Sequence, residues 1–166
     1  MESNSSIKKS TLIIIAIVVI VVITALCFKI LKKEKKVEYN LTTSNIQAEN
    51  TLFKDYKTFK KFYDNKKMED IMTNKVTFKK NSLNETYTEE FFKNKRLALV
   101  AVYEDTSKDY IYSIDNLTYN EDKTEATITY TYKVGTFADV LSSTWYNYMF
   151  VELENTVEHV NFVRNK

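Results

Sequence analysis

The sequence predicts an α+β protein: an N-terminal transmembrane helix followed by one helix packed on an antiparallel β-sheet or roll. Three observations predict it. Residues 11–28 form an apolar run without charge, residues 52–63 place aromatics at spacings of three and four, and after Arg96 the pattern turns to strand-like runs and alternations. On this reading, residues 1–10 are a polar tail, 11–31 the membrane helix, 32–49 a charged juxtamembrane linker with a candidate first strand, and 50–166 an α+β globular domain.

The apolar run Thr11 to Phe28 reads TLIIIAIVVIVVITALCF. As a helix it extends about 27 Å, close to the hydrocarbon thickness of a bilayer. In lipid it must satisfy its own backbone hydrogen bonds, which a helix does within one segment. Lys29 can snorkel, so Ile30 and Leu31 belong to the boundary. A cleavable signal would have a shorter apolar region and end in small residues. The context Thr24-Ala25-Leu26-Cys27 resembles a lipoprotein box but departs from it at Leu26, where a small residue is required. Cys27 is the single cysteine, so no disulfide forms within the chain and no cysteine-based metal site exists. The run reads as an uncleaved anchor, with the lipid bilayer as partner of residues 11–31. Small-xxx-small spacing for helix dimerisation is absent.

Charge is asymmetric about this run. The net charge is +2, but residues 1–36 hold 7 Lys/Arg against 2 Asp/Glu, and the remainder holds 17 against 20, which gives +5 and −3. An acidic domain with two arginines, Arg96 and Arg164, lacks the basic face that phosphate binding needs, so nucleic acid is excluded as a partner. Lys29, Lys32, Lys33, Lys35 and Lys36 follow the run, which by the positive-inside rule alone puts the domain in the cytoplasm.

Within the domain, Glu38 to Ile46 is a candidate strand. Asn50 is a candidate N-cap for a helix in which Leu52, Phe53, Tyr56, Phe59, Phe62 and Tyr63 form one stripe, ending near Lys66. Lys54, Lys57, Lys60 and Lys61 lie on the other face, which suits either anionic lipid or, as preferred, a solvated face on a helix docked to a sheet. Residues 68–86 carry little signal. Thr88 reads as an N-cap, with Glu89 and Glu90 at the positive end of a short helix through Phe92. Leu97 to Tyr103 is apolar at every position, as in a central strand covered on both faces. Glu104 to Asp109 is a turn, Tyr110 to Tyr119 a strand, and Asn120 to Lys123 a hairpin loop. Ala126, Ile128, Tyr130, Tyr132 and Val134 alternate with Thr127, Thr129, Thr131 and Lys133, so one face is buried and one wetter. Gly135 to Leu141 is a connection, Trp145 to Leu153 a strand, and Val157 to Val163 closes a last hairpin across Glu154-Asn155-Thr156. Gly occurs once and Pro never, so turns must be built from Asn and Asp, which tolerate left-handed backbone. The abundance of Lys, Asn, Ile and Tyr reads as the codon bias of a low-GC bacterium.

The run Tyr87-Thr88-Glu89-Glu90-Phe91-Phe92-Lys93-Asn94-Lys95, leading into Leu97-Ala98-Leu99-Val100, resembles the Tyr-Asp-Glu-Glu-Phe-Phe-Lys signature of small exported proteins of Clostridium type. The strand order after it, with the Trp145 strand near the end, is similar to the PrcB C-terminal domain family of protease-complex subunits. The resemblance covers about residues 50–163. It departs where that group has a glycine turn and this chain reads Asp105-Thr106-Ser107-Lys108. It implies a membrane-attached, non-catalytic β-rich domain that associates with another protein, and, since such proteins are exported, a domain outside the cell. That placement is favoured over the cytoplasmic one.

The residues give no catalytic, cofactor-binding or metal set. His159, the one histidine, belongs to a terminal strand and reads as a surface or edge residue. One glycine is too few for a P-loop or dinucleotide loop, and no Gly-x-Ser-x-Gly elbow exists. Carboxylates such as Glu89 and Glu90, or Asp115 and Glu125, could pair as in a glycosidase. Glu104, Asp105 and Asp109 lack EF-hand spacing. The strand aromatics Tyr110, Tyr112, Tyr119, Tyr130, Tyr132, Trp145, Tyr146 and Tyr148 read as cross-strand packing before a peptide or sugar face. Type IV pilins, which also join an apolar helix to a β domain, have a Gly and a Glu that are absent here. The expectation is a single-pass, cell-membrane interaction module with a protein partner. An envelope hydrolase using an acidic pair and a cytoplasm-facing regulatory domain are the alternatives.

Overall fold

The computed structural model describes residues 17–21, 36–105, 110–134 and 144–165. The chain divides into two compact units, Met1–Lys35 and Lys36–Lys166. In the first, residues 17–21 are helical and exposed. Among the described residues no helix is long and apolar enough to cross a membrane; residues 11–16 and 22–31 of the anticipated span lie outside them.

The second unit is mixed α+β, mostly antiparallel sheet with few helices. Its elements are β1 (Asn40–Ser44), β2 (Thr51–Phe53), α1 (Tyr56–Lys66), β3 (Ile71–Asn74), β4 (Lys80–Ser82), α2 (Leu83–Thr86), α3 (Glu89–Asn94), β5 (Lys95–Asp105), β6 (Tyr110–Tyr119), β7 (Glu125–Val134), β8 (Thr144–Glu154) and β9 (His159–Asn165). A six-stranded sheet has the order β2-β5-β8-β1-β3-β4, and a three-stranded sheet the order β6-β7-β9.

The long strands β5 and β8 pair antiparallel from Lys95↔Glu154 to Asp105↔Thr144. Their sequences are apolar at successive positions because both faces are covered. Leu97, Leu99, Tyr148 and Phe150 pack against the helices with Phe53, Phe59, Leu83, Tyr87 and Phe92. Ala98, Val100, Val102, Met149, Val151 and Leu153 pack against Ile114, Ala126 and Ile128 of the smaller sheet. Phe59 is the hub on the helix side, with edge-on contacts to Phe53, Tyr87 and Phe150 at 5.6, 5.7 and 6.3 Å. Burying such rings contributes most of a core's transfer free energy, and edge-on geometry adds to it.

Three expectations are corrected. Asn50 does not cap the helix: its Oδ1 accepts from Ala101 N at 3.0 Å, continuing β2 along β5. Leu52 and Phe53 are therefore strand residues. Asp55 is the N-cap, in extended backbone and accepting from Thr58 N at 2.8 Å. Second, Val157 to Val163 does not close a hairpin on β8. The chain turns at Glu154–Thr156, passes over the β6–β7 turn with Glu158 N donating to Thr124 O at 2.7 Å, and enters the other sheet, where β9 runs parallel to β7. Val157, fully buried, holds that crossover. A short polar loop between two apolar runs looks the same in sequence for a hairpin and for a change of sheet. Third, the strands described form two sheets in place of one sheet or roll, and a helix, α2, stands beside the expected α1 and α3. Residues 68–86 supply β3, β4 and α2.

Thr88 caps α3 as expected, accepting from Phe91 N at 3.3 Å. The Asn120–Lys123 loop is also as expected: Asn120 Oδ1 accepts from Glu125 N at 2.9 Å and Lys123 takes a left-handed φ of 57°. Residues 106–109 and 135–143, which include the rest of the Asp109 turn and the Gly135 connection, lie outside the described residues.

Candidate interaction surface

The strand directions give the larger sheet two distinct ends. One holds the start of β1, the close of β3 and the C-terminal part of β8, since Asn40 is in register with both Asn74 and Phe150. The other holds Tyr103, Tyr146 and Ser44.

At the second end, Tyr103 and Tyr146 are register partners with ring centroids 5.4 Å apart. Tyr103 is 44% exposed. Its carbonyl accepts the Tyr132 hydroxyl, which ties β5 to β7. Arg164 of β9 lies over the Tyr132 ring at 4.9 Å and donates to Tyr132 O at 2.9 Å. Elements from both sheets thus meet at Tyr132, whose hydroxyl bonds the backbone of Tyr103 and whose ring carries the exposed Arg164. Rigid aromatic rings and a guanidinium are the side chains that most often dominate protein interfaces, since they bury much area for little lost freedom.

The other candidates separate or serve the fold. Asp115 sits at a β-bulge between Ile114 and Asn116, opposite Thr129 and Tyr130. Glu125 is four or five residues away on β7, roughly 15 Å at strand rise, so the two do not form a carboxylate pair. Asp115 accepts instead from Ser113, Thr131 and Asn165 at 2.5, 2.6 and 2.7 Å, linking all three strands of the smaller sheet. Burial works against its ionisation, but these bonds outweigh it and hold the carboxyl below its ordinary value. Glu90 pairs with Lys93 at 2.6 Å in the first turn of α3. His159 is exposed on the edge strand β9, in register with Glu125. The side chains of Glu104 and Asp105, and all of Asp109, lie outside the described residues, as do the side chains of Tyr110 and Trp145. Tyr112, Tyr119, Tyr130 and Tyr132 pack on the inter-sheet core, and Tyr148 is buried under the helices.

The apolar stripe of α1 docks on the sheet through Phe59, with Phe62 and Tyr63 alongside. Of the lysines expected on its other face, Lys60 pairs with Asp64, while Lys54 precedes the helix and reaches Glu158 at 2.6 Å. A shallow depression of about 360 Å³ runs between α1 and α3, lined by Asp55, Tyr56, Lys57, Glu89, Phe92 and Lys93. Asp55 is already committed there to the cap of α1, and its bond from Thr58 N lowers its pKa. Among the described residues no cluster of three His, Cys, Asp or Glu is placed to hold a metal ion.

A second surface lies at the first end of the sheet. In the β3–β4 turn, Asn74 Oδ1 accepts from Val76 N, Thr77 N and Thr77 Oγ1 at 3.0, 2.9 and 3.1 Å. Phe78 N donates to Asn74 O at 2.6 Å, and Phe78 is held at a φ of 55° with 75% of its surface exposed. Periodicity gives no sign of this turn. The signal that locates it is the Asn74/Thr77 pair, an Asx turn in a chain short of glycine.

No family model, curated protein or solved structure matches the chain.

Proposed function

We propose that the chain is a single-pass protein of the cell membrane whose domain works without catalysis, by binding a protein partner through the corner of Tyr103, Tyr146 and Arg164. The observation that carries this reading is the uncharged apolar run at residues 11–28 joined to a domain that presents a fixed, partly exposed tyrosine pair. The polar groups support it: Asp55, Asp115 and Tyr87 are each engaged in holding the fold. The resemblance of the Tyr87–Lys95 region to exported Clostridium-type and PrcB-like domains favours a domain outside the cell. The lysines after the run favour the cytoplasmic, regulatory alternative by the positive-inside rule.

A photo-crosslinking residue at position 103, introduced in intact cells, tests the partner. A single discrete protein adduct, lost with Tyr146→Ala and absent for a probe at Lys123, is expected. Adducts identical at both positions would refute the corner. Protease shaving of intact cells decides the side: loss of the C-terminal strand from the outside is expected, and protection until lysis would establish the cytoplasmic alternative.

A further inference from the structure

We propose that the β3–β4 turn is a lipid-docking tip, in which Phe78 enters the headgroup layer of the membrane while Lys79 and Lys80 meet anionic lipid phosphates. This rests on the anchored reading above. Four observations converge on the tip. First, Phe78 is exposed, and the Asn74 side chain fixes the turn that presents it. An aromatic ring in a left-handed backbone is strained without being buried, so the domain's own packing gives no reason for it. Second, residues 74–80 read Asn-Lys-Val-Thr-Phe-Lys-Lys, with three lysines and no acid, in a domain that is acidic overall. Lys75 lies over the Tyr112 ring at 5.4 Å, while Lys79 and Lys80 are exposed. Third, the tip lies beside the segment by which the chain enters the domain: Lys75 N donates to Tyr39 O at 3.0 Å, next to Asn40↔Asn74. That segment adds Lys36 and Glu38, which offset each other. Fourth, Lys36 follows Phe28 by eight residues, and such a stretch spans at most about 29 Å when extended. The end at which the chain enters the domain is the end that carries the exposed ring and cations. Aromatics favour this layer, and each basic residue near an anionic surface adds roughly five-fold to its occupancy.

The test uses the full chain reconstituted in vesicles, with Trp145→Phe removing the native tryptophan and Phe78→Trp placing one at the tip. Brominated lipids quench only a ring that reaches them. In vesicles containing phosphatidylglycerol the tryptophan at 78 is expected to be quenched and blue-shifted. One placed by Ile71→Trp, at the opposite end of the hairpin and also exposed, is expected to stay in water. Neutralising both by Lys79→Gln and Lys80→Gln is expected to lower the docked-to-free ratio about 25-fold. Flotation of the same vesicles after carbonate washing separates the two ideas. A chain that floats with an unquenched tip overturns docking and leaves the anchor standing. A chain that does not float overturns both. Equal quenching at 78 and 71 also overturns docking. So does a photo-crosslinker at 78 that captures protein and no lipid in cells.

Discussion

Asn40 Nδ2 donates to the phenol oxygen of Tyr87 at 2.8 Å, joining β1 to the end of α2 inside the helix-side core. Both residues are buried, and Asn40 Oδ1 has no hydrogen-bond partner among the described residues. The contact therefore satisfies one half of a buried amide and leaves the other half as a cost. Removing one partner should hurt more than removing both, because a lone buried donor loses its partner and its water. Tyr87→Phe is expected to cost about 1–3 kcal/mol. The double variant Tyr87→Phe/Asn40→Leu should recover much of that loss. Denaturant unfolding of the full chain in mild detergent measures the cycle. A double variant as unstable as the sum of its singles would show that the two side chains are not coupled.

The tyrosines set the alkaline limit. Burial is the main cause that pushes Tyr87 far above the ordinary phenol value of 10.0, with the Asn40 bond pulling the other way. Burial likewise raises Tyr39, Tyr119 and Tyr148. A folded pKa above the unfolded one means that the unfolded chain releases protons first. Stability is therefore unaffected by these groups below pH 10 and falls as pH rises above it, by up to about 1.4 kcal/mol per pH unit per group. Phenolate absorbance should show the phenols raised by burial ionising only with loss of the near-ultraviolet tertiary signal. A single smooth titration in a still-folded protein would contradict this.

The acid limit runs the other way. The Thr58 backbone bond is the leading cause that lowers the Asp55 pKa below 3.8, and side-chain bonds overcome burial to lower that of Asp115. A depressed folded pKa gives stability that is present above the unfolded value and lost as pH falls through the folded one. Asp55→Ala is expected to cost about 1 kcal/mol at neutral pH, as for other N-caps. Asp55→Asn should keep most of the cap while making stability less dependent on pH below 4. If Asp55→Asn and the parent share the same acid limb, the cap carboxylate does not contribute to it.

What the sequence disclosed follows local rules. The central strand at Leu97–Tyr103 was legible because double burial removes the polar alternation, and the Thr88 cap because hydroxyl and carboxylates stand in helix-start order. The Asn50 expectation failed because Asn serves both helix caps and strand edges, and only the position of Ala101 on a neighbouring strand separates the two uses. The destination of β9 was illegible for the same kind of reason: it is decided by the backbone of Thr124, far away in sequence. The tyrosine corner is equally non-local, since Tyr103, Tyr132, Tyr146 and Arg164 come from four strands. The Phe78 turn was hidden differently, because an aromatic in the left-handed region is what a turn reading based on glycine passes over.

That scarcity of glycine yields a last prediction. Lys67, Phe78 and Lys123 all have positive φ, at the end of α1 and in two turns. Such backbone costs a residue with a Cβ on the order of 1 kcal/mol or more, while glycine adopts it freely but loses more chain entropy on folding. The strain term is the larger, so Lys67→Gly and Lys123→Gly should each stabilise the domain by about 0.5–1 kcal/mol. Phe78→Gly should do the same, because the ring it removes is exposed and contributes little to the core. If Phe78 is kept for contact with lipid, that third variant alone should gain stability while losing its charge-dependent association with anionic vesicles. Urea midpoints of the three full-length variants, read beside lipid-quenching of a tryptophan placed by Thr77→Trp with and without Phe78→Gly, make the comparison. A Phe78→Gly variant that is less stable than the parent would place the ring in the domain's own packing and remove the strain argument for the tip.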